Sequence, residues 1–240
     1  MSARRGIVVA STLLPFVPLL AHVGPGVTWL DWPTQRLAPS LKGIGRHDHV
    51  AITFDDGPDP VSTPFFLEEL SRLGWSATFF MLGSMARSSP EAARRIVEAG
   101  HEIGVHGDEH RCHLLMTPRQ VHRDLKRAKS SIAEITGATP RWFRPPYGVL
   151  SMGSVISARQ LGLHPVLWSA WGRDWTEDAT PGSITSTVLT GLEPGGTVLL
   201  HDSDCTSAPG SWHATLAALP LMAEHLDPLV SVGPLREHFA

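Results

Sequence analysis

Residues 53–60, with the sequence TFDDGPDP, constrain the fold of this chain more than any other stretch. The residues at 49–54 are mostly apolar and predict a short strand. Two adjacent acids, Asp55 and Asp56, follow it, and the Gly-Pro behind them breaks any regular structure. Neighbouring carboxylates repel one another unless a cation lies beside them. The stretch therefore predicts a rigid strand end that holds two acids against a positive charge.

The rest of the chain alternates predicted strands with predicted helices. Strands are predicted at 49–54, 76–82, 101–105, 141–144, 164–168, 197–201 and 229–232. Helices are predicted at 62–73, 90–99, 117–136, 151–161, 183–192 and 212–226. This alternation indicates a parallel sheet with helices outside it. A doubly wound open sheet and a barrel both satisfy the pattern.

Polar residues at strand ends distinguish the two architectures. They follow five of the strands: Asp55 and Asp56, His106, Arg144, Asp174 and His201. An open sheet gathers ligand groups mainly at its switch point, whereas a barrel brings the carboxyl end of every strand to one rim. We therefore predict an α/β fold, a (β/α) barrel of about seven parallel strands that is irregular or incompletely closed.

The composition suits one large domain with a short extension. The chain has 240 residues, a net charge of −3 and a pI near 6.5, which give no reason to expect nucleic acid as a partner. We divide it into a hydrophobic N-terminal segment at 1–24, a linker or wrapping segment at 25–47, and a catalytic domain at 48–240.

The N-terminal segment has the charge pattern of a signal-peptide start. Arg4 and Arg5 precede an apolar run at 6–21, but Pro15 and Pro18 interrupt the run and no clear A-x-A cleavage site follows. An export signal, an uncleaved membrane anchor and an arm packed on the domain all stay open. We favour export or anchoring with the domain outside the cytoplasm, and a cytoplasmic location stays open.

A candidate metal site follows the third strand, in the sequence HGDEH. His106 and His110 are spaced i, i+4, which places both on one face of a helical turn. Two imidazoles and one carboxylate form the three-ligand set of a catalytic Zn²⁺ with an open fourth position. His113 is a competing ligand, and we expect it to cap or pack instead.

Arg144 follows the fourth strand and precedes Pro145-Pro146, which fix a rigid turn. An Arg held beside two carboxylates keeps one of them ionised and oriented. Its alternative is an ordinary surface Arg before a rigid turn.

His201 ends the apolar strand TVLLH, and Asp174 lies among three tryptophans in the sequence WSAWGRDW. An acid shielded from water needs a partner. If Asp174 binds the ring of His201, the imidazolium is favoured, its pKa rises, and it becomes a usable general acid. A purely structural His at a strand end is the alternative.

Five sequences in this order, TFDDGPDP, HGDEH, RPPYG, the acid within WGRDW, and LLHD, resemble the motifs of NodB-type polysaccharide deacetylases, the family four carbohydrate esterases. The resemblance covers residues 48–232. It implies a distorted (β/α) barrel that binds a divalent metal, most often Zn²⁺ but also Co²⁺ or similar, through Asp56, His106 and His110. Asp55 then deprotonates the attacking water.

The resemblance implies further roles. Arg144 orients Asp55, His201 protonates the leaving amine, Asp174 tunes His201, and the backbone N–H of Tyr147 helps hold the oxyanion. Two departures stand out. Gly107 replaces the Ser or Thr common after the first metal histidine, and Asp174 lacks the closer pair of acids common in the fourth motif.

The implied activity is hydrolysis of N-acetyl groups from hexosamine units of a glycan, releasing acetate. Peptidoglycan, chitin and other glycans stay open as the polymer. The alternatives are hydrolysis of O-acetyl esters or of small cyclic amides at the same site, and a non-catalytic glycan-binding module.

Five tryptophans near the predicted rim either stack on sugars or pack the barrel: Trp142, Trp168, Trp171, Trp175 and Trp212. Cys112 and Cys205 form either one disulfide or two free thiols.

Overall fold

A computed structural model describes residues 22–25 and 38–240. Nearly all of the predicted hydrophobic segment at 1–24 and much of the segment at 25–47 lie outside the described residues, so both assignments stay predictions. In the part of the chain that the structure describes, no helix has the length and apolar character needed to cross a membrane.

A curved sheet of parallel strands forms the centre of the fold. The strands are β1 His49–Asp55, β2 Thr78–Met81, β3 Glu102–Val105, β4 Trp142–Phe143, β5 His164–Pro165, β6 Ala170–Trp171, β7 Thr197–His201 and β8 Ser231–Gly233. Their order is β5-β4-β3-β2-β1-β7-β6, and β8 pairs with the first half of β1. The outermost strands of this order, β5 and β6, do not pair with each other. The predicted incompletely closed (β/α) barrel is confirmed.

Helices connect the strands and cover the outside of the sheet. They are α1 Thr63–Leu73, α2 Gly83–Ser88, α3 Pro90–Glu98, α4 Pro118–Thr136, α5 Met152–Gln160, α6 Pro181–Gly191, α7 Trp212–Leu226 and α8 Leu235–His238. Capping boxes at Thr117, Ser151 and Thr180 start α4, α5 and α6. Gly74 ends α1 in the left-handed region, at a φ of 69° that a side chain rarely adopts.

Three elements were not predicted. The strand β6 has only two residues, and α2 and α8 are short helices of six and four residues. None of them is long enough to show a periodic apolar pattern. Helix α6 also begins at Pro181 rather than at 183, because Thr180 caps it and proline suits the first turn.

The central strand β1 positions the acids. All seven of its residues are buried. Phe54 faces the helices, where its ring stacks on Phe79 with centroids 5.0 Å apart and meets the edge of Phe66 at 5.2 Å. Because side chains alternate along a strand, Thr53 and Asp55 point to the opposite side, into the barrel. The core thus fixes which face of β1 carries the first acid.

Residues 38–46 run along the barrel and are bonded to it. The backbone N–H of Leu167 donates to the carbonyl of Leu41 at 2.7 Å, and Thr197 Oγ1 donates to the carbonyl of Gly43 at 2.7 Å. The N–H of Arg46 donates to the carbonyl of His238 at 3.0 Å. This strap packs on the domain, while the predicted domain boundary at 47/48 stays a prediction.

Two buried histidines join the start of β1 to α8. His49 Nδ1 lies 2.9 Å from His238 Nδ1, and His238 Nε2 lies 3.2 Å from the carbonyl of Gly43. Since a carbonyl only accepts, His238 carries its proton on Nε2 and its Nδ1 accepts from His49. Burial lowers the pKa of His238 to about 4 and also lowers the pKa of His49. The pair is therefore neutral at neutral pH.

We expect this pair to make the protein less stable in acid. Between about pH 6.5 and pH 4 the unfolded chain takes up protons that the folded pair refuses, so the free energy of unfolding falls as pH falls. His238→Gln removes one titrating ring, and denaturant unfolding at about pH 7 and pH 5 should then show a smaller loss than in the unmodified protein. The exposed His225→Gln is the matched control and should leave the loss unchanged.

Candidate active site

The predicted site residues converge at the carboxyl ends of the strands. They surround a cavity of about 360 Å³, whose lining is Asp55, His106, His110, Tyr147, Gly148, Trp168, Trp171, Trp175, Leu199, His201, Thr206 and Ser207. Three further predicted residues, Asp56, Arg144 and Asp174, lie directly behind this lining and are fully or almost fully buried.

Asp56, His106 and His110 form a cluster that could hold a metal ion. Their ligand atoms all lie within 4.8 Å of one another. Asp56 Oδ1 lies 3.4 Å from His106 Nε2 and 3.6 Å from His110 Nε2. This oxygen is buried and has no hydrogen-bond partner among the described residues, which is costly unless a cation occupies the space. One carboxylate and two imidazoles suit Zn²⁺ or a similar divalent ion, so the donor set fits.

The ring of His106 is oriented by the backbone. Its Nδ1 lies 2.9 Å from the carbonyl of Arg144, to which it donates a hydrogen bond. That bond places the proton on Nδ1 and leaves the lone pair of Nε2 directed at the cluster, as metal-binding histidines require.

The HGDEH segment is a loop rather than the helical turn that its spacing predicted. Gly107 has a φ of 107°, and no helix covers residues 106–112. Arg87 binds both carboxylate oxygens of Asp108, at 2.6 and 3.1 Å, and the loop brings the rings of His106 and His110 to 5.3 Å. The positive φ also explains glycine at 107, because a Ser or Thr would be strained there.

His113 lies outside the cluster, as expected. It is fully buried, with Nδ1 at 3.0 Å from Ser154 Oγ and Nε2 at 3.8 Å from Asp124 Oδ2. It joins the loop to α5.

The two adjacent acids are separated by the backbone between them. Asp56 has a φ of 77°, which turns its side chain away from the regular continuation of β1. Burial raises the pKa of Asp56, but His201, His106 and His110 together outweigh it and hold the pKa below its ordinary value. Asp56 therefore stays ionised and available as a ligand.

Thr206 was missed by sequence reasoning. Its hydroxyl donates to Asp56 Oδ2, whereas His106 and His110 lie nearest to Oδ1. It lies in the loop after LLHD, and only that position behind a predicted site strand could have indicated it.

Asp55 is held by Arg144. Arg144 Nη1 donates to Asp55 Oδ1 at 2.8 Å and to Thr53 Oγ1 at 2.8 Å, and Nη2 donates to the carbonyl of Leu167 at 2.8 Å. The guanidinium has no exposed surface and lies 4.2 Å above the ring of Phe80. It is a buried cation, and the alternative of a surface Arg is wrong.

The partly exposed His201 and the buried Asp174 form a second pair. Asp174 accepts from His201 Nδ1 at 2.9 Å, from the backbone N–H of His201 at 2.8 Å, and from Thr215 Oγ1 at 3.0 Å. Burial lowers the pKa of His201, but Asp174, with smaller contributions from Asp56 and Asp55, raises it to about 10. The ring therefore carries a proton at neutral pH, with Nε2 at 3.9 Å from Asp56 Oδ2.

Three of the five tryptophans form one wall of the cavity. Trp168 and Trp171 stack with centroids 5.9 Å apart, and Trp171 and Trp175 lie 5.1 Å apart. The other two lie elsewhere: Trp142 donates to Glu102 at 2.9 Å, and Trp212 stacks on Phe65. Tyr147, which also lines the cavity, has a φ of 60°, and its ring meets His110 at 4.5 Å.

The position of Asp202 explains why residue 57, in the sequence DDGPDP, is a glycine. It is buried, and its Oδ2 accepts from Thr63 Oγ1 at 2.5 Å. Burial raises the pKa of Asp202 to about 7. A Cβ at Gly57 would lie 2.4 Å from Asp202 Oδ1, so only glycine fits between the two loops.

Cys112 and Cys205 are free thiols, and no disulfide joins them.

We expect Asp174→Asn to lower the pKa of His201 in the metal-free protein. The raised pKa stabilises the fold below about pH 6.5, and this stabilisation is lost as pH rises towards about 10. NMR titration of the His201 ring should therefore show a lower midpoint in the variant, with less change in stability across this range. Asp178→Asn, an exposed acid on the following loop, is the control.

The chain matches the family model for polysaccharide deacetylases over residues 42–166. It is 32% identical over 200 residues to a peptidoglycan-N-acetylglucosamine deacetylase of Listeria monocytogenes, covering 83% of this chain but only 42% of the relative. It is 39% identical over 156 residues to a chitooligosaccharide deacetylase of Bradyrhizobium sp., covering 64% of this chain and 70% of the relative.

Among solved structures, BA3943 of Bacillus anthracis, described as a pseudoenzyme of carbohydrate esterase family four, superposes with a TM-score of 0.72. The two are 26% identical, over 79% of this chain and 64% of that one. A mutant of the same protein is described as having restored enzymatic activity. The matched sequence and the barrel agree, and the chain belongs to the polysaccharide deacetylase (NodB) family.

Proposed function

We propose that this chain is a metal-dependent N-deacetylase that releases acetate from N-acetylhexosamine units of a glycan. The observation that carries the proposal is the buried, unpartnered Asp56 Oδ1 facing two histidine nitrogens, with Asp55 and His201 on either side. One solved structure of this fold is described as a pseudoenzyme, so family membership alone does not establish activity, and the residues of this chain have to support it.

Asp56, His106 and His110 would hold the ion. A divalent metal bound there supplies Lewis acidity to the acetyl carbonyl and lowers the pKa of bound water to about 7. The remaining steps belong to the protein's own side chains.

Asp55 is placed to take the proton of the attacking water. Its Oδ1 is engaged by Arg144, while Oδ2 lies 3.7 Å from His106 Nε2 and faces the cluster. Since Arg144 also donates to Thr53 and Leu167, Asp55 is held in one orientation. A positioned base of this kind typically contributes about 10²- to 10⁴-fold to a rate.

His201 is placed to protonate the leaving amine. Asp174 keeps its ring protonated, and the Nε2–H is directed into the cavity because Nδ1 is engaged. The backbone N–H of Tyr147, in the turn at Pro146–Gly148, is our candidate oxyanion donor. Tyr147 and Gly148 both line the cavity.

A polymeric substrate is supported by the shape of the surface. A second, open depression of about 660 Å³ adjoins the cavity across His110 and Thr206. Its other lining residues are Leu82, Ser84, Met85, Glu109, Arg111 and Cys205. The tryptophan wall offers flat apolar faces for a sugar ring in the cavity itself. Both sequence relatives are named for glycans of N-acetylglucosamine or chitin type, which agrees with a glycan substrate. Export or anchoring by the N-terminal segment would place the domain near such a polymer.

The two adjacent acids should separate metal binding from catalysis. Asp56→Ala removes a ligand, so zinc content and acetate release should fall together. Asp55→Asn keeps the cluster, so zinc content should stay near that of the unmodified protein while the rate falls by about 10²-fold or more. Zinc is measured by elemental analysis of purified protein, and equal zinc loss in both variants would contradict this division of roles.

Acetate release tests the activity itself. Purified protein is assayed on chitooligosaccharides, peptidoglycan and acetylated xylan, with and without a chelator and after zinc is restored. We expect release from one or both N-acetylated glycans, its loss with chelator and its recovery with zinc. Release from acetylated xylan alone would favour the O-acetyl esterase, and no release from any glycan with zinc bound would favour a small amide.

A further inference from the structure

Helix α5 buries its small residues and exposes its large apolar ones. The buried residues are Gly153, Ser154, Ser157 and Ala158. The exposed ones are Met152, Val155 and Ile156, with 36%, 37% and 48% of their surface accessible. An ordinary surface helix buries its apolar stripe. This inverted arrangement leaves the apolar side of α5 partly exposed, and exposed apolar patches often mark interaction sites.

Leu115 extends the same surface. It is 88% exposed and ends the short turn His113–Leu115, which lies against α5. His113 Nδ1 lies 3.0 Å from Ser154 Oγ, and a Cβ at Gly153 would lie 3.1 Å from Pro118 Cα. We call Leu115, Met152, Val155 and Ile156 the apolar face.

Positive charge is concentrated in the part of the chain that carries the apolar face. Besides the buried Arg144, residues 111–164 carry eight Lys or Arg against two acids, although the whole chain has a net charge of −3. Of the two acids, Asp124 is buried and only Glu134 is exposed. Helix α4, which packs beside α5, exposes Arg119, Arg123, Lys126 and Arg127. Lys129 Nζ donates to the carbonyl of Leu161 at 2.5 Å and ties the two helices together.

The N-terminal end of the described chain lies at the same place. His22 Nε2 lies 3.2 Å from the carbonyl of Leu114, next to Leu115. The stretch directly before it, 6–21, contains no charged residue. In the sequence, this apolar stretch ends directly before a residue that contacts the surface.

From these observations we propose that the apolar face and the basic side of α4 together form a docking surface for an anionic lipid bilayer. The apolar side chains enter the boundary between headgroups and acyl chains, and the Arg and Lys side chains reach the lipid phosphates. An acidic soluble polymer would leave the apolar side chains uncovered. A second copy of this chain would bring a second basic surface against the first.

The experiment measures how deeply single positions of the full chain enter the bilayer when the protein is bound to lipid vesicles. In a Cys112→Ser, Cys205→Ser background, Leu115→Cys and Ile156→Cys carry a fluorophore, and the acyl chains carry a nitroxide quencher. Leu229→Cys is the control, because Leu229 is 79% exposed but lies beyond α7. We expect quenching at 115 and 156 in phosphatidylglycerol vesicles, less in phosphatidylcholine vesicles, and none at 229.

Position-specific quenching distinguishes docking by this surface from membrane binding by the N-terminal segment. If that segment alone held the chain on the vesicle, residues 115 and 156 would not reach the acyl chains and would not be quenched. Val155→Ser with Met152→Ser should reduce quenching at 115. Arg123→Gln with Lys126→Gln should weaken docking by about fivefold for each cation removed. Arg94→Gln with Arg95→Gln, on α3, should leave it unchanged.

Three results would overturn the proposal. The first is equal quenching at 115, 156 and 229. The second is no quenching at 115 and 156 although the chain is bound to the vesicles. The third is a fluorophore at 115 or 156 that is already shielded from solvent when no lipid is present. That result would show that protein covers the apolar face. Acetate release from a soluble chitooligosaccharide is measured in parallel and should not change in the Met152, Val155 variant.

Discussion

The buried guanidinium of Arg144 is the interaction on which both the barrel and the site depend. A charge removed from water costs several kcal/mol unless partners surround it. Here the partners come from two sides of the barrel, Asp55 and Thr53 on β1 and the carbonyls after β5. Satisfying one cation therefore draws the ends of distant strands together, and the same contacts orient Asp55.

The site continues this arrangement as a row of buried polar groups in which opposite charges are neighbours. Arg144 is followed by Asp55, then by the histidine cluster, then by Asp56, His201 and Asp174. Each buried charge has a neighbour of opposite sign, which reduces the cost of burying it. Asp56 also has a charged neighbour in His201, but its Oδ1 has no hydrogen-bond partner within residues 22–25 and 38–240. A cation would fit beside this oxygen and would supply the interaction that it lacks.

The sequence predicted most of the fold and of the candidate site because both depend on strand ends. An apolar strand that ends on a polar residue is visible in the sequence, so Asp55, Asp56, His106, Arg144 and His201 could be placed on one rim. The local geometry could not be predicted in the same way. The spacing of His106 and His110 suggests a helical turn, but the loop is shaped by Gly107 and by tertiary contacts to Asp108. Thr206 reaches Asp56 only because the long loop after β7 folds back, and no spacing rule describes that loop. The strand β6 is too short to carry a pattern.

The gap between β5 and β6 has a consequence for how the protein behaves in solution. An open sheet edge invites pairing with strands of other molecules. Each of these edges has only two residues, one contains Pro165, and the N–H of Leu167 just beyond is already bonded to Leu41. Few backbone groups are left to recruit a foreign strand. The barrel can thus stay open at one side, next to the tryptophan wall, without exposing an edge strand that would promote aggregation.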